Sequence, residues 1–90
     1  MSKTKPRAKD IELVQTCGAC PEQYDAFYDR KRVGYLRLRH GIFTVDADGP
    51  WGERLYSASP KGDGIFAGDE RDKYLRKARK AIAKHIRSTK

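Results

Sequence analysis

From Val33 to Asp46 the chain alternates apolar and polar positions with a period of two. Leu36 and Leu38 fall on one side, and Tyr35, Arg37 and Arg39 on the other. After His40-Gly41 the alternation resumes through Ile42, Phe43, Thr44, Val45 and Asp46. Two antiparallel strands joined by a tight turn are the reading this pattern predicts. Ile11 to Cys17 alternates in the same way and predicts an earlier strand. Tyr24 to Asp29 reads as a further strand with Arg30-Lys31-Arg32 as its turn. A helix starting at Pro21, with Glu22 and Gln23 in its first turn, is the alternative over 21–32. Strand is favoured, because the segment from Val33 needs an antiparallel neighbour. A turn at Asp48-Gly49-Pro50-Trp51-Gly52 leads to a last short strand over Arg54 to Ala58, followed by a loop at Pro60-Lys61-Gly62-Asp63-Gly64.

Beyond Gly68 the period changes. Asp69 is a cap candidate, Glu70 and Asp72 suit the positive end of a helix, and the bases gather toward its C-terminal end. At about 100° per residue, Leu75, Ala78, Ile82 and Ile86 share one side, flanked by Tyr74, Ala81 and His85. The expected fold is therefore α+β: an antiparallel β-meander of three to five strands with a C-terminal amphipathic helix packed on one face. Leu36, Leu38, Phe43, Val45 and Leu55 would meet Leu75, Ile82 and Ile86 in the core.

Ninety residues leave room for one such domain. Residues 1–10, polar and broken by Pro6, are expected to form a disordered basic arm, with the α+β domain over 11–90. No apolar run reaches the roughly 20 residues that span a bilayer, and no apolar stretch follows the N-terminal lysines. The expectation is a cytoplasmic protein that makes no use of a membrane, with its cysteines reduced.

Locating the charge changes the picture more than its net value of +8 does. Residues 1–10 carry four Lys/Arg against one acid (+3), residues 11–68 seven against eight (−1), and residues 69–90 nine against three (+6). The excess lies wholly in the two ends. Lys73, Arg76, Lys77, Lys80, Lys84 and Arg87 fall within one arc about 100° wide, opposite the apolar side of the helix. Six cations along about 20 Å of helix can reach several phosphates and release their counterions. The bland reading is a solvated face, yet no acid follows Asp72. Tyr35, Arg37 and Arg39 are a second nucleic-acid-binding candidate, an aromatic ring beside two guanidiniums on which unstacked bases can lie. Tyr and Arg are also common on plain exposed strands. If the helix covers the Leu36/Leu38 face, the two basic surfaces lie on opposite sides.

Cys17-Gly18-Ala19-Cys20 offers two thiolates at metal-binding spacing. A structural zinc site needs four ligands, and only His40 and His85 supply further nitrogens, without the usual paired spacing. Zinc held by Cys17 and Cys20 is the weaker expectation, and no other cofactor is implied. Cys17-Gly18-Ala19-Cys20-Pro21 after a strand resembles the redox motif of the thioredoxin family over five positions. The strand pattern after residue 33 departs from that topology. Asp46-Ala47-Asp48-Gly49 opens like a calcium loop, but Ser57 stands where the bidentate acid belongs, so it reads as a turn. Trp51 fits a core plug or an exposed anchor equally well. No Ser, Cys or carboxylate stands at a recognisable catalytic spacing from either histidine, so no enzyme is expected.

The blocks Cys17-Gly18-Ala19-Cys20-Pro21-Glu22-Gln23-Tyr24 and Val33-Gly34-Tyr35-Leu36-Arg37-Leu38-Arg39-His40-Gly41 resemble small uncharacterised proteins encoded by bacteriophages and prophages. The resemblance implies a short accessory protein of a bacterial host cell and carries no known activity. Three functions fit the residues: a non-enzymatic module that binds nucleic acid, an inhibitor or adaptor whose basic helix docks on an acidic host protein, or a metal or redox protein that depends wholly on Cys17 and Cys20. An exposed edge strand in a small sheet often pairs with its mate, which makes a homodimer a further expectation.

Overall fold

Five strands and one long helix account for most of the computed structural model, which describes residues 6–18, 22–48, 52–62 and 66–88. The strands are β1 (Glu12–Cys17), β2 (Glu22–Tyr28), β3 (Lys31–Arg39), β4 (Ile42–Ala47) and β5 (Arg54–Ala58), and the helix is α1 (Glu70–Ser88). They form one antiparallel sheet in the order β1-β2-β3-β4-β5, a meander in which every neighbour in space is a neighbour in sequence. α1 packs on one face, so the α+β architecture is the one expected, with the strand number at the top of the range. Of the expected features, Cys20, Pro21, Gly49, Pro50, Trp51, Asp63 and Gly64 lie outside the described residues.

Residues 22–28 are strand, because their alternation matches that of β3: Glu22, Tyr24 and Ala26 stand opposite Leu38, Leu36 and Gly34 and are buried with them. The turn that follows differs from the expected Arg30-Lys31-Arg32. It consists of Asp29 and Arg30, at φ 53° and 69°, with Tyr28 paired to Lys31. With both central residues left-handed this is a type I′ two-residue hairpin, whose backbone matches the strand twist, and Asp tolerates that region. Lys31 and Arg32 are thereby drawn into β3. The His40-Gly41 turn is of the same kind, with φ 55° and 75°.

The buried face of the sheet presents Tyr24, Ala26, Gly34, Leu36, Leu38, Phe43, Val45 and Ala47. Against it α1 buries Leu75, Ala78, Ile82 and Ala83, with Ile86 at the margin. Small residues set the closeness of the approach: a Cβ built on Gly34 would meet Ile82 Cδ1 at 2.7 Å and Ala26 Cβ at 3.3 Å. At the other end Phe43 meets the edges of Phe66 and Tyr74, and these two rings stack on each other at 5.8 Å. Leu55 packs against the core only in part, because an irregularity between Val45 and Asp46 sets Tyr56, not Leu55, opposite Val45.

Residues 1–5 of the expected arm lie outside the described residues. The rest of it departs from a disordered segment: Ala8–Asp10 form a 3-10 turn against α1, Ile11 is buried, and Arg87 Nη1 donates to the Pro6 carbonyl at 2.7 Å. Ile11 supplies the apolar anchor that seats this turn. No helix among the described residues is long and apolar enough to cross a membrane.

Candidate functional site

The outer face of α1 carries the six cations that the helical period brought together. Lys73, Arg76, Lys77, Lys80, Lys84 and Arg87 are all exposed. The arc exists because the buried set Leu75, Ala78, Ile82 and Ala83 fixes which side of the helix meets the sheet. Two of the six make local contacts, Lys73 over the Tyr74 ring at 5.4 Å and Arg87 with Pro6. The side chains of Arg76, Lys77, Lys80 and Lys84 make no ion pair or hydrogen bond with any described residue. Arg79, which the arc leaves out, is half-buried beside the stripe.

Tyr35, Arg37 and Arg39 lie on the opposite side of the molecule, on the sheet face that α1 leaves open. Register places their neighbours. Tyr35 stands between Asp25 on β2 and Asp46 on β4, with Val14 and Arg54 completing the row. Arg37 stands between Gln23 and Thr44, and Arg39 stands opposite Ile42. Phe27 shares this face, opposite Arg32, and neither Phe27 nor Tyr35 belongs to the core. Val14 and Ile42, exposed large hydrophobics at 44% and 46%, are here as well. Both carboxylates flanking Tyr35 are engaged: Asp46 with Arg54 at 2.5 Å, and Asp25 with Arg32 at 3.8 Å. The guanidiniums of Arg37 and Arg39 have no carboxylate partner among the described residues. Phe27, Val14, Ile42, Arg32 and Arg54 were not singled out from the sequence. Their signal was the period of two in strands whose mutual register the sequence does not state.

A buried polar cluster also went unread. The Glu22 side chain is fully enclosed; it accepts from Arg71 Nε at 2.7 Å and Nη2 at 3.2 Å, from the Phe66 N–H at 3.1 Å, and from the Tyr24 hydroxyl. Burial pushes its carboxyl up, but the bonds from Arg71, Tyr24 and Phe66 outweigh burial and hold it below the ordinary value of 4.5. Burial and the Glu22 charge push the Tyr24 hydroxyl the other way, up to about 12. This cluster locks the start of α1 to β2 and so aims the basic stripe away from the sheet. Glu70 does a related job at the surface. Its carboxylate accepts from the N–H groups of Lys61 at 2.6 Å, Ala67 at 3.0 Å and Gly62 at 3.2 Å, closing the loop onto the first turn of α1.

Cys17 ends β1, where the register slips between Gln15 and Cys17; His40 sits in the β3–β4 turn and His85 on α1. Among the described residues no three His, Cys, Asp or Glu side chains come together as a metal site, and Cys20 lies outside them. Asp46 closes the alternation that began at Ile42 and is a strand residue paired with Arg54, so only Asp48 of the motif read as a turn lies beyond β4 among the described residues. No protein-family model, no curated protein and no solved structure matches the chain.

Proposed function

We propose that this domain is a non-enzymatic nucleic-acid-binding module that grips phosphates with the outer face of α1. The observation that carries the reading is the stripe of Arg76, Lys77, Lys80 and Lys84, exposed and without an acid partner among the described residues. A folded protein that needs surface charge only for solubility mixes signs, whereas here no acid follows Asp72. From Lys73 to Arg87 the helix rises about 21 Å, the span of about six phosphates along one strand of a duplex. The stripe holds no aromatic ring, so it fits backbone contact and sequence-independent binding.

The test is fluorescence anisotropy with a labelled duplex oligonucleotide across a salt series, using the full chain and the variant K77A/K80A/K84A. Affinity is expected to fall steeply with salt. The variant should bind more weakly, with a log–log salt slope shallower by about 2–3 and with unchanged circular dichroism. Unaltered affinity and slope in the variant would show that the helix face is not the site. No binding by the wild type at low salt would end the nucleic-acid reading and leave an acidic host protein as the ligand of the stripe.

A further inference from the structure

Two surfaces with the chemistry of polyanion binding sit back to back in this fold, and no short ligand can reach both. We infer that the domain holds two nucleic-acid segments at once, a phosphate backbone along α1 and an unpaired strand across the open face of the sheet. The inference rests on the nucleic-acid reading of α1 and goes beyond it by assigning a second site and a bridging role.

The open face carries the features that unpaired nucleotides need. Tyr35 and Phe27 are rings outside the core, held by β3 and β2, and bases stack on such rings without regard to sequence. Arg37 and Arg39 follow Tyr35 at every second position, which puts all three on one side of β3. Two carboxylates of this face are paired, Asp25 with Arg32 and Asp46 with Arg54. The unpaired Glu12, in register with Phe27, lies at the end of the face away from Arg37 and Arg39, which have no carboxylate partner among the described residues. Charge complementarity thus favours an anionic strand near Arg37 and Arg39. The exposed side chains of Val14 and Ile42 offer apolar contact to bases or sugars on either side. A duplex suits this face poorly, since its bases are already stacked on one another and are not free to lie on Tyr35 or Phe27. The α1 stripe has the converse character, with charge and no ring.

The separation is fixed by the core. Gly34, Ala26, Ala78 and Ile82 pack α1 tightly against the inner face, and the Glu22–Arg71 pair pins its first turns. The two basic surfaces therefore cannot swing toward one ligand.

The decisive experiment is a sandwich capture. A biotinylated duplex is immobilised, the full-length protein is bound at low salt, and a labelled non-complementary oligothymidylate is added. Wild-type protein is expected to retain the labelled strand. Y35A/R37Q/R39Q should still bind the duplex but lose capture by about tenfold or more. R37Q/R39Q alone, which leaves the ring and the strand packing in place, should lose an intermediate amount, so a folding defect in the first variant cannot imitate the result. Duplex binding without strand capture by the wild type would overturn the bridging role and leave the helix reading standing. Capture retained by Y35A/R37Q/R39Q would also overturn it, since a second copy presenting another helix would then be holding the strand. Loss of duplex binding by the wild type would remove both readings together.

Discussion

Glu22 is the side chain on which most of the unusual chemistry of this fold converges. It is enclosed by β2 and α1, yet it bears a charge, because Arg71 meets it with two nitrogens while Tyr24 and the Phe66 N–H supply the remaining bonds. A carboxyl held below its ordinary value binds fewer protons folded than unfolded. Its stabilisation is present above about pH 4.5 and is lost as pH falls through the lowered folded value. Tyr24 behaves oppositely. Its hydroxyl is raised from 10 to about 12, so its stabilisation is complete below pH 10 and is lost as pH rises toward 12. Urea denaturation across pH is therefore expected to show an acid decline that E22Q flattens and an alkaline decline that Y24F flattens. At neutral pH, E22Q should cost roughly 2–3 kcal/mol, because an amide cannot accept from every donor Glu22 satisfies; the partial exposure of Arg71 keeps the loss at the low end for a broken buried pair. An acid limb as steep in E22Q as in the wild type would assign that limb to other carboxyls.

At the scale of elements, the join between α1 and β3 is made by absence of side chain. Gly34 lies beneath Ile82, and a methyl there would stand 2.7 Å from Cδ1 and 3.2 Å from Cγ1 of a side chain with no exposed surface. G34A should destabilise the domain by about 1–3 kcal/mol through overpacking. Adding I82V removes the nearest carbon and should recover part of that loss in a double-mutant cycle, measured by thermal or chemical unfolding. Additive effects of the two changes would mean that the helix shifts away from the sheet instead of sharing one crowded contact. The hairpin turns belong to the same scale. Arg30 holds φ 69° with a full side chain, and the β2–β3 register slips by one residue just beyond the turn, between Phe27 and Ala26.

For the molecule as a whole, charge and stability pull against each other. The stripe sets like charges four residues apart, Lys73 with Lys77, Arg76 with Lys80, and Lys80 with Lys84, each spacing unfavourable by about 0.2–0.5 kcal/mol. Salt screens such exposed repulsion and leaves the enclosed Glu22–Arg71 pair largely untouched. Raising sodium chloride from about 50 mM to about 500 mM, a change that cuts the Debye length by about threefold, is expected to raise the melting temperature of the free protein by about 4–8 °C, the equivalent of about 1 kcal/mol in a domain this size. The same change should weaken nucleic-acid binding, so stability and affinity move in opposite directions with salt. A melting temperature that stays level or falls would mean that the stripe is not under repulsive load.

The sequence alone was enough to define the β3–β4 hairpin and α1, because a period of two in 33–46 and a period of 3.6 after Gly68 are direct consequences of how strands and helices turn their side chains, whereas 22–28 became a strand only by pairing with β3. It also defined the basic arc, since six positions on one helix need no knowledge of anything but the helix. What depended on other parts of the chain was not legible. Glu22 and Arg71 are far apart in sequence, and nothing local marks a strand carboxylate as the anchor of a helix. The turn at Asp29-Arg30 was set by pairing register with β2, not by the basic cluster beside it. Phe27, Val14 and Ile42 joined Tyr35, Arg37 and Arg39 only when five strands were aligned, because register decides which side chains share a face, and register is a property of the packed sheet.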